Sequence, residues 1–214
     1  IGVDSYRWAD GLRVERRLDV DAWRDFVARH PQGNVFHTPE MFEAFSRVPG
    51  YRPSLWAAVD DHSGDVLALL TPVQIALSNG PMSRLTSRDI AYGSLLYRQD
   101  GRGQKALRHL LDAYKRAASR HSLFTELRNL SSLSAIQPLL GNSGFIYEDH
   151  LDFLVDLSQP EDVLWQRMSK SARKHIRRAQ KHEDLAVVEA GTSKQLSEIY
   201  SLLRMTYDHA RIPL

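Results

Sequence analysis

The sequence predicts a mixed α/β fold (α+β), in which a sheet of parallel and antiparallel strands is covered by helices on both faces. Over roughly 150 residues, strands and helices follow the order β-α-α-β-β-β-α-β-α-β-β, which mixes hairpins with crossover helices. The stretch 66–77 carries no charged residue, as expected of a strand whose two faces are both covered. The stretch 104–118 is apolar along one side only, as expected of a helix that packs on such a sheet.

The elements before residue 100 are predicted from alternation and from helix caps. Residues 12–18 alternate as a half-buried strand, after which Asp19 is an N-cap and residues 30–33 end the first helix. Thr38 caps a second helix, with Pro39 in its first turn. Three strands are predicted next, at residues 54–60, 66–77 and 86–97.

The elements after residue 100 begin with the most regular helix of the sequence. Its apolar face consists of Leu107, Leu110, Leu111, Tyr114, Ala117 and Ala118. A short strand at 123–128 and a helix at 132–140 follow, and Gly141 is placed to close that helix. A strand pair at 145–148 and 151–157 completes the predicted domain.

The composition changes after Pro160, and we predict one domain over residues 1–158 and the beginning of another over 159–214. A long helix from residue 161 to about 182 is followed by a strand at 185–189 and a helix capped by Gly191–Thr192. This strand-cap-helix unit repeats the pattern of residues 12–27. A β-α pair cannot bury its own apolar surface, so on this interpretation the chain is cut short inside a second domain.

Composition excludes several classes of protein. Hydrophobic residues make up 43% and charged residues 25%, which excludes disordered and fibrous proteins. The net charge, 28 − 26 = +2, does not indicate a polyanion partner for the whole molecule. The sequence has no cysteine, which excludes disulfides, thiol nucleophiles and thiolate metal sites. With neither a secretory signal nor a transmembrane segment recognised, we expect a cytoplasmic protein.

The strongest charge signal is residues 167–182, which hold seven Lys or Arg residues and no acid. On a helix, five of these cations lie opposite an apolar stripe: Lys170, Arg173, Lys174, Arg177 and Lys181. Arg173 and Arg177 are one turn apart and could grip a diphosphate through paired N–H···O contacts. A solvated helix face and a patch for nucleic acid or anionic lipid remain alternatives.

A second candidate site is the stretch 98–103 between a predicted strand and the most regular helix. It resembles the loop with which acetyltransferases of the Gcn5-related (GNAT) class hold the coenzyme A pyrophosphate. Glycines let backbone N–H groups approach phosphate oxygens, and a helix N-terminus adds positive potential. The residues that would bind the pyrophosphate are Arg98, Gly101 and Gly103. An ordinary polar turn is the alternative.

Other candidates lie on or beside the predicted sheet. Arg88 and Tyr92 fall near its centre, either lining a pocket or, for the arginine, pairing with Asp89 or Glu126. His37 precedes a helix start, where it could contact substrate or serve only as a surface or capping residue. Glu126 also shares a strand face with Arg128, as in a salt bridge or an acid/base pair. No histidine or carboxylate spacing indicates a metal site.

Several motifs taken together resemble the Fem-type aminoacyltransferases (FemABX) and their relatives in the GNAT superfamily. They are Trp23–Val27 with His30–Glu40, Ala91–Leu95, Phe124–Arg128, Gly144–Phe145, Leu154–Leu157, and Leu164–Trp165 followed by Ser171–Ala179. The resemblance implies tandem GNAT-like domains that transfer an aminoacyl or other acyl group to an amine of a cell-wall precursor. It implies that Arg173 and Arg177 bind the precursor's diphosphate. We add Lys170, Tyr92, Arg88 and His37 as further predicted substrate-binding residues.

The resemblance requires no bound cofactor and implies aminoacyl-tRNA or acyl-CoA as co-substrate, with tRNA and the inner membrane face as further contacts. Fem enzymes do not use coenzyme A, yet the stretch 98–103 is retained, which keeps an acetyl-CoA-dependent acetyltransferase open. A non-enzymatic module that binds anionic surfaces through the basic helix is the third reading. An isolated chain that lacks most of its second domain is expected to be inactive if that domain is needed.

Overall fold

The structure, a computed structural model, describes residues 5–76, 86–150, 155–182 and 188–210. It divides into two compact units, residues 1–149 and 150–214. The assignment of residues 159–214 to the beginning of a second GNAT-like domain stays a prediction.

The described part of the first unit contains nine strands and four α-helices. The strands are β1 (Ser5–Trp8), β2 (Leu12–Glu15), β3 (Tyr51–Pro53), β4 (Trp56–Asp60), β5 (Val66–Leu70), β6 (Val73–Ala76), β7 (Ser87–Ala91), β8 (Leu95–Tyr97) and β9 (Thr125–Leu127). The helices are α1 (Val20–Arg29), α2 (Pro39–Ser46), α3 (Gly101–Ala118) and α4 (Gln137–Asn142), with 3₁₀ turns at Val35–His37 and Ser134–Ile136. As predicted, Asp19 caps α1 and Thr38 caps α2.

The strands form two sheets rather than the single sheet predicted. One has five strands in the order β1-β2-β4-β5-β8, and the other has four in the order β3-β6-β7-β9. All pairs are antiparallel except β7 with β9, which are parallel because α3 crosses over between them. The mixed α+β class is therefore confirmed, with its strands divided between two sheets.

The two sheets arise because two predicted strands break in the middle. The predicted strand 66–77 breaks at Thr71–Pro72, where proline has no N–H to donate to a ladder. The predicted strand 86–97 breaks between Ala91 and Leu95, and Ser94 there has a φ of 66°. Each broken strand therefore supplies one segment to each sheet.

Helices cover both faces of the five-stranded sheet, as predicted. Leu107, Leu110 and Leu111 of α3 are completely buried and belong to the larger of the two apolar clusters, on one face. Trp23 and Val27 of α1 pack in a separate apolar cluster on the other face. Successive residues of β4 belong alternately to one cluster and to the other, which is the pattern of a strand buried on both sides.

Several predicted elements are wrong in detail. Strands β1 and β3 were not predicted, and Gly141 lies inside α4 rather than after it. Gly144, with a φ of 86°, takes the left-handed position instead. Residues 145–148 form no strand; of the predicted partner, residues 151–154 lie outside the described residues and 155–157 are not a strand.

The second unit contains three described helices, α5 (Glu161–Arg167), α6 (Lys170–Ala179) and α7 (Ser193–Ala210). The single long helix predicted from residue 161 is wrong. The first helix ends at Arg167, the backbone is extended at Met168, and Ser169 caps a new helix by accepting a hydrogen bond from the Ala172 N–H at 3.1 Å. The predicted strand 185–189 lies mostly outside the described residues, and 188–189 form no strand. The predicted cap at Thr192 is confirmed by its hydroxyl, which accepts from the Gln195 N–H.

Candidate functional site

Six cations line one side of α6, and we call this surface the cationic face. Its residues are Lys170, Arg173, Lys174, Arg177, Arg178 and Lys181. They surround a concavity of ≈ 480 Å³. None of them forms an ion pair with a carboxylate in the part of the chain that the structure describes. Their charge is therefore not neutralised within the described residues, and an anion would find unpaired donors here.

The break at Ser169 brings two arginines of the cationic face into contact with α5. Nη1 of Arg173 donates to the carbonyl of Gln166 at 3.0 Å and to that of Trp165 at 3.3 Å. The guanidinium of Arg177 lies over the Trp165 ring, 5.4 Å from its centre. The carbonyl end of a helix attracts cations, so Arg173 caps α5. Both guanidiniums are therefore partly oriented before any ligand binds.

The loop predicted to bind a pyrophosphate is occupied by the chain's own carboxylate. Asp100 caps α3 by accepting from the Gly103 N–H at 2.7 Å, and its other oxygen pairs with Nε of Arg98 at 2.6 Å. The Gly103 hydrogen bond is the main cause that lowers the pKa of Asp100, which keeps it ionised. Two of the three residues predicted to hold a phosphate, Arg98 and Gly103, are thus already bound to a negative charge. A phosphate in this loop would have to compete with Asp100 for both.

The glycines of this loop have different surroundings. A Cβ placed on Gly103 would lie 1.9 Å from the Arg98 carbonyl oxygen, so only glycine fits there. A Cβ on Gly101 would meet nothing within 4 Å. Close backbone packing therefore explains Gly103 without a phosphate, and nothing in the surroundings of Gly101 requires a glycine. Asp100 could have been found in the sequence, since Asp directly before a helix is a preferred N-cap.

Strands β7 and β9 carry the predicted residues of the four-stranded sheet. Arg88 and Tyr92 lie on the side where α2 packs, as do Glu126 and Arg128. Asp89 points to the opposite side, where its carboxylate accepts hydrogen bonds from the hydroxyls of Tyr114 and Ser122. Nε of Arg128 donates to the carboxylate of Glu126, two residues earlier, at 2.8 Å. Nε of Arg88 is buried and has no acceptor among the described residues, so neither predicted carboxylate satisfies it.

His37 is placed where no ligand can reach it. Its side chain is completely buried, and its ring lies against Gly93, where an added Cβ would meet the imidazole at 2.7 Å. The backbone of Gly93 and Ser94 borders the ring nitrogens. Burial, with a smaller contribution from the charge of His30, lowers the pKa of His37 to about 4. The prediction that His37 contacts substrate does not fit this position. The ring instead packs against Gly93, between β7 and β8.

Two residues that shape these surfaces were missed. No sequence pattern indicates that a helix break would place Trp165 against Arg177. Tyr51 was missed because the three-residue strand β3 is too short to be recognised by alternation. Within the described ranges, no three His, Asp or Glu side chains are grouped to hold a metal ion, and no helix has an apolar run sufficient to span a bilayer.

The two sheets, the α3 crossover and the interrupted strand before it form a mixed α+β fold. No protein-family model and no curated protein matches this sequence. Among solved structures, FemX is similar to this chain with a TM-score of 0.56 and 15% sequence identity. The match covers 92% of this chain and 50% of FemX, so this chain spans half the length of that protein.

Shorter acetyltransferases are also similar to the chain, with lower scores. Glucosamine-6-phosphate N-acetyltransferase from Arabidopsis thaliana has a TM-score of 0.42 and 15% identity, covering 68% of this chain and 99% of its own. An aminoglycoside acetyltransferase from an uncultured soil sample has a TM-score of 0.41 and 13% identity, covering 70% of this chain and 98% of its own. At such identities the similarity to FemX establishes the fold, and the activity has to be argued from the site.

Proposed function

We propose that this chain is part of a Fem-type N-acyltransferase, which transfers an aminoacyl or other acyl group to an amine of a diphosphate-linked cell-wall precursor. The cationic face of α6 is the observation that carries this proposal, since its six cations have no carboxylate partner among the described residues. The similarity to FemX supports it at the level of the fold.

The geometry of Arg173 and Arg177 favours a diphosphate over a diffuse anionic surface. Both guanidiniums are held by α5, so less conformational entropy is lost when they bind a ligand. Each guanidinium offers further N–H groups in a planar fork that matches phosphate oxygens. Lys170 stands one turn before Arg173 on the same face and adds charge at the edge of the concavity.

The reaction needs no covalent enzyme intermediate, in keeping with a sequence that lacks cysteine. A neutral amine attacks the acyl carbonyl, a C–N bond forms, and the C–O or C–S bond to the donor breaks. The proton of the amine passes to a base or to water. The protein contributes positioning and hydrogen-bond donors for the developing oxyanion. Aminoacyl-tRNA is the donor we favour, because a coenzyme A pyrophosphate would have to displace Asp100 from Arg98 and from the Gly103 N–H.

Replacing Arg173 and Arg177 together with glutamine should weaken binding of a diphosphate-linked peptidoglycan precursor about tenfold or more, since each charge-assisted hydrogen bond contributes roughly 1.5 kcal/mol. Isothermal titration calorimetry measures the change, with inorganic pyrophosphate as the minimal probe. Circular dichroism monitors the helices, because the Arg173 cap on α5 is also lost.

The matched control replaces Lys174 and Arg178 with glutamine, which removes the same two charges from the same face. We expect the control to lose at most about threefold in affinity, as a purely electrostatic contribution. If both double variants lose affinity equally, the arginines have no special role. If the affinity also falls steeply with salt concentration and is the same for different anions, the chain is instead a non-enzymatic anion-binding module. Unchanged affinity in R173Q/R177Q would reject the diphosphate site.

Titration with acetyl-CoA tests the coenzyme A-dependent alternative directly. Because Arg98 and the Gly103 N–H are both bound to Asp100, we expect no heat and no shift in melting temperature at millimolar acetyl-CoA. Asp100→Asn keeps a side chain that can cap α3 while removing the negative charge, and serves as the comparison. Saturable binding of acetyl-CoA to the unmodified chain would contradict the inference that Asp100 keeps coenzyme A from this loop.

A further inference from the structure

The side of the four-stranded sheet that faces α2 carries Arg88 and Tyr92, for which the sequence predicts substrate binding, together with side chains that have no role in the argument for the diphosphate site. Strand register places Tyr51 beside Ile75, and Ile75 beside Arg88, on this side. The parallel pairing of β7 with β9 places Glu126 of β9 beside Ile90 of β7. Just beyond the paired residues, Arg128 lies beside Tyr92, and the backbone N–H of Arg128 donates to the Ala91 carbonyl at 3.0 Å. We call Tyr51, Arg88, Tyr92 and Arg128 the arginine–tyrosine cluster.

A ladder of stacked aromatic rings supports the cluster. The ring of Tyr92 stacks on Phe45 of α2 with centres 5.3 Å apart and on Phe36 at 5.8 Å. Phe45 also stacks on Tyr51 at 6.0 Å. All four rings are half-buried, so the ladder is rigid yet leaves apolar surface open to a ligand.

Ring stacking also fixes the hydroxyl groups of the cluster. Burial raises the pKa of the Tyr92 hydroxyl, and its hydrogen bond with the Tyr51 hydroxyl raises it further. The positive charges of Arg128 and Arg88 oppose that rise. The guanidinium of Arg128 lies over the Tyr92 ring, 5.1 Å from its centre. Strand register and ring stacking therefore place the two arginines and the two tyrosines on one side of the sheet.

The charges of the cluster are not balanced by the described residues. Glu126 accepts from Nε of Arg128 at 2.8 Å and is the carboxylate that the described structure places on this side of β9. Asp89 is on the opposite side, and buried Nε of Arg88 has no acceptor among the described residues. Buried donors are nearly always satisfied in native proteins, so an N–H without an acceptor indicates a missing partner.

We propose that the arginine–tyrosine cluster binds the carboxylate of a small ligand, with Arg88 as the principal donor and the aromatic ladder in contact with an apolar group beside that carboxylate. Among the described residues of the cluster, two arginines and Glu126 leave one positive charge, which matches a monoanion. A planar carboxylate accepts two parallel N–H bonds from a guanidinium. The chemical class is an N-acylated amino acid or the carboxyl end of a peptide.

The site lies in residues 1–149, whereas the diphosphate proposal rests on residues 150–214, so either can fail without the other. As a binding site it does not depend on the proposed transferase activity. If that activity holds, the carboxylate marks the peptide part of the acceptor.

The test uses N-acetylphenylalanine and its neutral analogue N-acetylphenylalaninamide, which differ in the carboxylate alone. The Nε–H signals of arginine are followed by ¹⁵N NMR in the full 214-residue chain. We expect the acid to move the signal that disappears in Arg88→Lys, and to bind about tenfold more tightly than the amide. The proposal would be overturned if saturating N-acetylphenylalanine did not shift the Arg88 Nε–H signal, or if the chain bound the acid and the amide with equal affinity.

Substitutions separate binding from a structural role. Arg88→Gln should weaken binding of the acid about tenfold, while Arg52→Gln, an exposed cation on the other side of β3, should leave it unchanged. Glu126→Gln removes the carboxylate that competes for Arg128 and should strengthen binding about threefold. A merely structural ion pair predicts no gain, so weaker or unchanged binding in E126Q would contradict the proposal even if R88Q fails to fold.

Discussion

Replacing Gly103 with alanine should destabilise the first unit by about 3 kcal/mol, the upper range for forcing atoms into a packed site. The new Cβ would lie 1.9 Å from the Arg98 carbonyl oxygen and 2.7 Å from its carbon, and backbone atoms cannot move aside as a flexible side chain can. For a chain of this size the melting temperature should fall by roughly 6–12 °C. Differential scanning calorimetry measures it.

Gly101→Ala is the matched control for this prediction. Gly101 lies two residues earlier in the same helix, and a Cβ there meets nothing within 4 Å. Alanine favours a helix over glycine by roughly 0.5–1 kcal/mol, so this variant should be as stable as the unmodified chain or slightly more stable. Equal stability of G103A and G101A would show that close packing is not the reason for glycine at residue 103.

Lowering the pH from 7.5 to 4.5 should reduce the free energy of unfolding by about 2–3 kcal/mol through His37 alone. The pKa of His37 falls from 6.5 to about 4 in the folded protein, chiefly because burial disfavours the charged ring. Above pH 6.5 both states are neutral, so the contribution to stability is fully present there. As the pH falls towards 4, the unfolded chain binds a proton that the folded chain excludes, and that contribution is lost.

Urea unfolding followed by tryptophan fluorescence at several pH values measures this dependence. His37→Gln should be less stable at neutral pH but should lose the share of the pH dependence assigned to His37. His62→Gln, which removes an exposed histidine of the same unit, is the control and should keep the full dependence. If H37Q retains the same slope as the unmodified chain, the buried imidazole is not its source.

Local signals predicted much of the fold. The side chains of Asp19 and Thr38 cap α1 and α2 as expected, because an N-cap depends on a few neighbouring residues. The one-sided apolar pattern of α3 predicted its buried face, where Leu107, Leu110 and Leu111 are completely buried. In each case the information lies within one or two helical turns of the residue concerned.

Tertiary contacts decided what the sequence could not predict. At the break between β7 and β8, Gly93 lies against the ring of His37, which is more than fifty positions away in the sequence. The apolar pattern runs unbroken across residue 169, so only the capping hydroxyl of Ser169 reveals where α6 begins. For the site, the basic face of α6 was predictable from spacing, whereas the closing of the loop by Asp100 required knowing that Arg98 folds back onto it.

The parallel pairing of β7 with β9 has a consequence for the order of folding. Hairpins such as β4 with β5 join residues close in sequence, whereas Ala91 meets Leu127 only after the intervening chain, including α3, has closed a long loop. Contacts of such large sequence separation form slowly, so we expect β9 to join its sheet late. Amide protons of β9 should accordingly gain protection after those of the β4–β5 hairpin in pulse-labelled refolding.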